Sequence, residues 1–204
     1  MRNTPFAGLF AGLASLSLLA CGVPNGENTG GPAGEPPLAG ATIGGPFTLV
    51  NSAGETVKYS DFDGKYRIVY FGYAYCPDVC PNDVGKLMLG YKAFAEAEPD
   101  MAEQIQPMFI TIDPERDTEA VVGEFAAAFS PKLMGLTGTP EQVKAAADAF
   151  KVFYSKGAES EGGGYLMDHS NIAYLMDRDG TPLATLPVDL GPEDIAAEIA
   201  KWTS

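Results

Sequence analysis

The stretch Arg67-Ile-Val-Tyr-Phe-Gly-Tyr-Ala-Tyr-Cys-Pro-Asp-Val-Cys-Pro81 decides the fold, because it leads from a buried strand through two cysteines into a helix. Residues 67–73 are a nearly continuous β-branched and aromatic run, which is typical of a strand buried on both faces. Apolar residues then recur at helical spacing, namely Val84, Leu87, Met88, Tyr91, Phe94 and Ala95. Cys76 and Cys80 are therefore expected where a strand passes into a helix.

The rest of the chain alternates predicted strands and helices. The predicted strands are a hairpin at 47–50 and 56–58, long strands at 67–73 and 107–112, a short strand at 133–136, and a closing hairpin at 172–176 and 182–188. Helices are expected after the cysteines, after a cap at Asp117 or Thr118, from the capping box that begins at Thr139, and from Pro192. This order predicts an α/β domain with a central mixed sheet, flanking helices and an N-terminal β-hairpin. A cysteine pair between the first long strand and its helix is the layout of thioredoxin-like folds.

The amino terminus has the features of an export signal. Arg2 precedes an apolar run from Phe6 to Ala20 that is too short for a comfortable membrane span. The run ends in Leu-Leu-Ala-Cys21-Gly, which resembles the lipobox of bacterial lipoproteins. We therefore predict a lipoprotein signal peptide at 1–20 and lipidation of Cys21, so that the protein is anchored to a membrane by lipid and faces the periplasm of a bacterial envelope. The alternative is an ordinary secretory leader with a stray cysteine.

Composition separates a linker from the domain. Ten of the nineteen residues from Gly22 to Gly40 are Gly or Pro, which predicts a flexible linker over 21–45 and a single domain over 46–204. The formal net charge of −14 and the pI of about 4.3 argue against a nucleic-acid partner.

Cys76 and Cys80, together with His169, form a candidate metal site. The spacing Cys-x3-Cys differs from the Cys-x2-Cys of thioredoxin-like redox enzymes, and it places two sulfurs on one face of a helical turn. His169 is the only histidine in the chain and is expected in a loop before strand 172–176. Two thiolates and an imidazole suit Cu(I), and a fourth oxygen ligand, for which Asp78 is a candidate, would suit Cu(II).

Alternatives remain open at this point. Zinc accepts the same ligands, a lone histidine is often structural, and an idle cysteine pair in an oxidising compartment tends to form a disulfide bond. Because glycines 162–164 precede His169, we expect the histidine to swing in when metal binds. Asp113, Glu115, Arg116 and Asp117 are expected to form an ion-pair network near the site, with Tyr73 and Tyr75 packed beside it and Met167 packed in the domain.

The sequence resembles the Sco/SenC family of copper chaperones in cytochrome c oxidase assembly. The matching segments are residues 70–81, 112–118, 135–143, 168–170 and 174–177. The resemblance implies copper ligands at Cys76, Cys80 and His169, and delivery of Cu(I) or Cu(II) to the dinuclear copper centre in cytochrome c oxidase subunit II. Many members use an amino-terminal membrane helix, whereas this chain has the lipobox.

The resemblance also implies an enzymatic alternative. Cys76 and Cys80 would then be the redox-active pair of a thiol–disulfide reductase that prepares the cysteines of the oxidase copper site. A peroxidase is a third hypothesis, because such chemistry needs one cysteine of low pKa. If the chain is a metallochaperone, it has no catalytic residues.

Overall fold

The structure is a computed structural model that describes residue 1 and residues 34–159 and 164–203. The chain divides into two units, Met1–Pro32 and Ala33–Ser204, and the fold below is that of the second. The predicted signal peptide and Cys21 lie outside the described residues. Within the described ranges, no helix has both the length and the apolar character needed to cross a bilayer.

The domain alternates strands and helices as the sequence predicts. In chain order its elements are β1 (Thr48–Asn51), β2 (Thr56–Lys58), a 3-10 turn (Tyr59–Phe62), β3 (Tyr66–Gly72), α1 (Val79–Ala97), α2 (Pro99–Ala102), β4 (Ile105–Thr111), α3 (Glu119–Phe129), β5 (Met134–Thr137), α4 (Pro140–Ala149), β6 (Tyr154–Lys156), β7 (Met167–His169), β8 (Ala173–Met176), β9 (Pro182–Leu186) and α5 (Pro192–Thr203).

Seven strands form one mixed sheet in the order β2-β1-β5-β4-β3-β8-β9. The three central strands β5, β4 and β3 are parallel, and the two hairpins β1-β2 and β8-β9 add antiparallel strands at the edges. Parallel strands need helical crossovers that cover the faces of the sheet, which explains why β3 and β4 are almost wholly apolar. The predicted fold class, an α/β domain with a central mixed sheet, flanking helices and an N-terminal hairpin, is confirmed.

Two helix starts follow from local hydrogen bonds. Thr118 rather than Asp117 caps α3, because its side chain accepts a hydrogen bond from the Val121 N–H. At α4, Thr139 accepts from the Gln142 N–H, and the Gln142 side chain accepts from the Thr139 N–H. The predicted capping box is therefore present.

The structure differs from the predicted linker at its carboxyl end. Leu38 and Ile43 pack against the core, and the Leu38 N–H donates to the Leu183 carbonyl over 3.0 Å. The Gly44 N–H donates to the Ala149 carbonyl over 3.0 Å. Glycine and proline composition suggested flexibility up to residue 45, but these few apolar side chains and backbone bonds fix the last part of that segment to the domain.

His169 lies at the end of a short strand rather than in the predicted loop. β7 pairs antiparallel with β6, and the register places His169 opposite Tyr154. Within the described residues, this two-stranded sheet is separate from the seven-stranded one. The element that carries the histidine therefore has no ladder to the central sheet within the described residues, and only the short segment 170–172 connects it to β8.

Candidate metal centre

The two cysteines occupy the turn between β3 and α1. After β3 ends at Gly72, the Cys76 N–H donates to the Tyr73 carbonyl over 3.2 Å and turns the chain. α1 begins at Val79, so Cys80 lies in the first helical turn, as predicted. Cys76 is half-buried, whereas Cys80 is fully buried. The two sulfurs therefore differ in their access to a partner.

Gly72 provides the space for the buried sulfur. A Cβ atom built on Gly72 would lie 3.0 Å from Cys80 Sγ, 3.0 Å from the Tyr70 ring and 3.1 Å from the Phe109 ring. These separations are shorter than ordinary carbon contacts. Glycine in a strand often marks such a close approach. Gly72 was therefore a sequence signal for the close packing around Cys80, and it was not used in the prediction.

The start of α1 stabilises a thiolate at Cys76. The Cys80 N–H donates to Cys76 Sγ over 3.4 Å. Burial opposes ionisation of Cys76, but backbone N–H groups of Cys80 and Asp78 donate to the sulfur, and its pKa is lowered overall. At Cys80, burial raises the pKa of the thiol well above its usual range. The helix start therefore lowers the pKa of Cys76 but does not offset the burial of Cys80.

His169 presents one ring nitrogen to Cys80. Its Nδ1 lies 3.0 Å from the Ser170 carbonyl oxygen, which can only accept, so Nδ1 carries the proton. The lone pair of Nε2 then faces Cys80 Sγ at 3.2 Å. The His169 ring also meets the Tyr73 ring edge-on, with centroids 5.9 Å apart. The histidine is thus oriented as a ligand, and no swing is needed to bring it to Cys80.

The three predicted ligands contact one another in two pairs. Cys76 contacts Cys80, and Cys80 contacts His169. Within residues 34–159 and 164–203, no group of three or more His, Cys, Asp or Glu side chains is already arranged to hold a metal ion. The cysteines are free, so the disulfide expected of an idle pair is not formed in the structure.

A buried carboxyl lies behind Cys80. Asp83 is only 5% exposed, and its Oδ2 accepts a hydrogen bond from the Tyr70 hydroxyl over 3.0 Å. Burial raises the pKa of Asp83, and it raises that of Tyr70 as well. This pair was not predicted, although an aspartate three residues after Cys80 falls on the inward face of α1.

The loop after β4 contains the predicted polar network. Arg116 forms an ion pair with buried Asp113. Asp117 is also buried and accepts hydrogen bonds from the Ala74 N–H at 2.8 Å and the Thr111 hydroxyl at 2.6 Å. Glu115 instead pairs with Lys156 on β6 at 3.3 Å. The predicted network is confirmed in part: Arg116 and Asp113 form its ion pair, whereas Asp117 is held by neutral donors and Glu115 pairs with a lysine outside the predicted set. The bond from the Ala74 N–H to Asp117 fixes this loop beside the cysteine turn.

Four further residues were predicted to lie at or near the site. Asp78 is exposed and does not cap α1 through its side chain, and its role as an oxygen ligand stays a prediction. Met167 is partly buried and packs against the core, as expected. Tyr73 is buried, whereas Tyr75 is 54% exposed beside Cys76.

Comparison with known proteins identifies the family. A family model described as SCO1/SenC matches residues 35–204, nearly the whole domain. The chain belongs to the SCO1/SenC family. The resemblance found in the sequence motifs is thereby confirmed.

Individual relatives agree with this assignment. The chain is 44% identical over 143 residues to "Protein SCO1 homolog 1, mitochondrial" of Arabidopsis thaliana, covering 70% of this chain and 42% of the relative. It is 40% identical over 160 residues to "Protein SCO1 homolog, mitochondrial" of Homo sapiens, covering 78% of this chain and 52% of the relative. The chain thus spans about half the length of these curated relatives.

A solved structure shares the fold. The structure of Bradyrhizobium japonicum ScoI with copper bound is 34% identical, with a TM-score of 0.71, and the match covers 78% of this chain and 99% of that one. The thioredoxin-like fold predicted from the sequence is therefore confirmed. The copper in that structure is a property of ScoI.

Proposed function

We propose that this SCO1/SenC protein binds copper through Cys76, Cys80 and His169 and delivers it to the dinuclear copper centre in subunit II of a cytochrome c oxidase. Membership of the family supports this role, and so does the similarity to a ScoI structure that contains copper. Copper is the cargo in this proposal, so the protein must both hold it and release it.

The position of the histidine beside the buried cysteine carries the proposal. His169 Nε2 lies 3.2 Å from Cys80 Sγ, although the two residues are 89 positions apart in the chain. The Cys76 sulfur adjoins the backbone of the same helical turn. Two thiol sulfurs and one imidazole are soft to intermediate ligands, which favour copper, and a structural zinc site would normally use four protein ligands.

The unequal burial of the ligands suits a protein that gives its metal away. Cys76 is half-exposed and lies in a turn beside exposed Tyr75. A partner thiol can therefore approach the copper from the side of Cys76 while Cys80 and His169 still hold it. If the ligands are exchanged one at a time, copper never has to leave as a free ion. Dissociation of the free ion would be slow, because soft ligands bind copper tightly.

Copper binding by single-residue variants tests the proposal. The full-length reduced protein should bind one copper ion tightly, and Cys76→Ser and Cys80→Ser should lose that binding. His169→Ala should bind more weakly and should lose the nitrogen signature of its electron paramagnetic resonance spectrum when Cu(II) is added. Met167→Leu is a matched control, since it removes a nearby sulfur that packs in the core. Tight binding of one copper ion by both serine variants would refute the proposed ligands.

The opposite behaviour of the two thiols favours a second candidate, the thiol–disulfide reductase. The lowered pKa of half-exposed Cys76 suits an attacking thiolate, and buried Cys80 suits the resolving thiol. The reduced protein would then reduce a disulfide in the target while Cys76 and Cys80 become a disulfide. A peptide with the two cysteines of an oxidase copper site, supplied oxidised, should be reduced one for one. A chain that binds copper but leaves this peptide oxidised would act as a chaperone alone.

We also propose that the protein is attached to a bacterial membrane by a lipid on Cys21 and faces the periplasm. The lipobox-like sequence supports this location. Expression with a labelled fatty acid should label the wild type and leave Cys21→Ser unlabelled. Label retained by Cys21→Ser would remove the proposed anchor.

A further inference from the structure

The histidine segment needs an attachment to the rest of the domain. β7 pairs with β6 in a sheet that is separate from the central one within the described residues. Besides the short connection to β8, side chains can fix this segment to the part of the domain that carries the cysteines. Tyr165, four residues before His169, makes contacts of this kind.

Arg116 and Asp113 hold Tyr165 at three points. The Tyr165 hydroxyl donates to Asp113 Oδ1 over 2.8 Å, and Arg116 Nη1 donates to the Tyr165 carbonyl over 3.0 Å. The Arg116 guanidinium carbon also lies 3.6 Å from the centroid of the Tyr165 ring, which is a close cation–π contact. Because its hydroxyl, its ring face and its backbone carbonyl are all in contact, Tyr165 has little conformational freedom.

The same guanidinium group reaches the cysteine turn. Its carbon lies 5.7 Å from the centroid of the Tyr73 ring and 5.3 Å from that of Tyr75. Tyr73 packs edge-on against the His169 ring, and Tyr75 directly precedes Cys76. Arg116 therefore touches the tyrosines on the cysteine side of the site and the tyrosine on the histidine side.

The support for Arg116 is rigid. Its partner Asp113 is 2% exposed, and the Asp113 N–H donates to the Thr111 hydroxyl over 2.9 Å at the end of β4. Arg116 Nε donates to Asp113 Oδ2. Because β4 is a central strand of the sheet, the loop that follows it holds the backbone of Arg116 in a fixed position.

We propose that Arg116 and Tyr165 are positioning residues of the copper site, which hold His169 against the cysteine pair and so set how long the third ligand stays bound. The inference rests on the proposed copper-binding function. Neither residue touches the metal. Arg116 acts through the rings of Tyr73 and Tyr75 on one side and through Tyr165 on the other, and loosening Tyr165 frees the histidine segment.

Two conservative variants and one matched control test the inference. Arg116→Lys keeps the charge but loses the planar fork that contacts Asp113 and Tyr165 together. Tyr165→Phe keeps the ring and loses only the hydroxyl bond to Asp113. Arg178→Lys is the control, because Arg178 stacks on Tyr66 at 4.7 Å and bonds the Gly64 carbonyl at the opposite end of β3.

Copper release gives the first measurement. Each full-length variant should bind one copper ion, and Arg116→Lys should pass it to a chelator about tenfold faster than wild type, the factor expected for one charge-assisted hydrogen bond. Tyr165→Phe should show a smaller acceleration and Arg178→Lys none. Equal release rates for Arg116→Lys and wild type would overturn the inference. A wild type that binds no copper would instead refute the proposed function.

A second measurement does not need the metal. His169 is the only histidine of the chain, so labelling histidine with ¹⁵N gives one set of ring signals. These signals should shift or broaden in Arg116→Lys and Tyr165→Phe and stay unchanged in Arg178→Lys, at matched thermal stability. Unchanged His169 signals in both site variants would overturn the inference. If Arg116→Lys does not fold, Tyr165→Phe carries both measurements.

Discussion

Replacing Gly72 by alanine tests how tightly the buried sulfur is enclosed. The new Cβ would lie 3.0 Å from Cys80 Sγ, with the rings of Tyr70 and Phe109 at 3.0 and 3.1 Å on its other sides. Both rings are fully buried, so neither can move aside. The thiol of Cys80 is the smallest of the three neighbours, and we expect its sulfur to rotate away from His169.

The magnitude follows from packing. Overfilling a well-packed core costs about 1–3 kcal/mol, and the stiffer unfolded chain of an alanine variant returns about 0.4–1 kcal/mol. We therefore expect Gly72→Ala to lose about 1–2 kcal/mol of unfolding free energy, which corresponds to roughly 2–8 °C in Tm for a domain of this size. Copper should be held more weakly at the same time, because the Cys80 sulfur and the His169 nitrogen are separated.

Urea unfolding and copper titration of the reduced protein measure both effects. Gly85→Ala is the matched control, since the nearest atom to its new Cβ is a Phe129 ring carbon at an ordinary 3.7 Å. Gly85 lies within α1, where alanine should stabilise the helix by about 0.5–1 kcal/mol. A Gly72→Ala variant as stable as wild type, with unchanged copper affinity, would show that the close packing around Cys80 is not a constraint on the site.

Three other predictions concern the ionisable groups around the site. Copper affinity should fall as pH falls, because the thiols must lose their protons to bind the metal. The raised pKa of Cys80 keeps its thiol protonated at neutral pH, so each copper ion should release about one proton above the lowered pKa of Cys76 and about two below it. Calorimetry in two buffers counts these protons, and binding without proton release would contradict the prediction. A short iodoacetamide pulse should alkylate Cys76 well before buried Cys80, and peptide mapping measures the label on each. Equal labelling of the two cysteines would contradict their difference in burial and pKa. Tyr70→Phe should cost about 1–3 kcal/mol by removing one hydrogen-bond donor from buried Asp83. The Tyr70 hydroxyl favours the ionised carboxylate, so its removal should raise the pKa of Asp83 further, and the loss of stability should grow as pH rises through the wild-type pKa. Urea unfolding at two pH values checks this, and a loss independent of pH would exclude the carboxyl as its cause.

Much of the fold could be predicted because its main elements carry strong local patterns. The buried run of β3 and the helical spacing after the cysteines identify the strand and helix that frame the site. The capping box at Thr139 sets the start of α4 within one residue. These patterns are local consequences of burial and of unpaired N–H groups at helix starts, so they can be recognised without the tertiary structure.

What could not be predicted depends on contacts between distant segments. β6 and β7 have three residues each and no periodic pattern, so only their mutual pairing identifies them. Leu38 and Ile43 are isolated apolar residues in a Gly- and Pro-rich stretch, and their packing on the core is a tertiary effect. The opposite pKa shifts of Cys76 and Cys80 likewise depend on burial, which the spacing of the cysteines does not reveal.

The asymmetry of the site has the same consequence for both proposed functions. Cys80 is fully buried and in contact with half-buried His169, whereas Cys76 is half-exposed beside exposed Tyr75. A partner thiol can therefore reach Cys76 first, whether it takes copper or exchanges a disulfide. Transfer of copper would begin by replacing the Cys76 sulfur, and reduction would begin by a bond from that sulfur to the partner. The two functions share their first contact and diverge only in whether Cys80 then gives up a metal ion or closes a disulfide with Cys76.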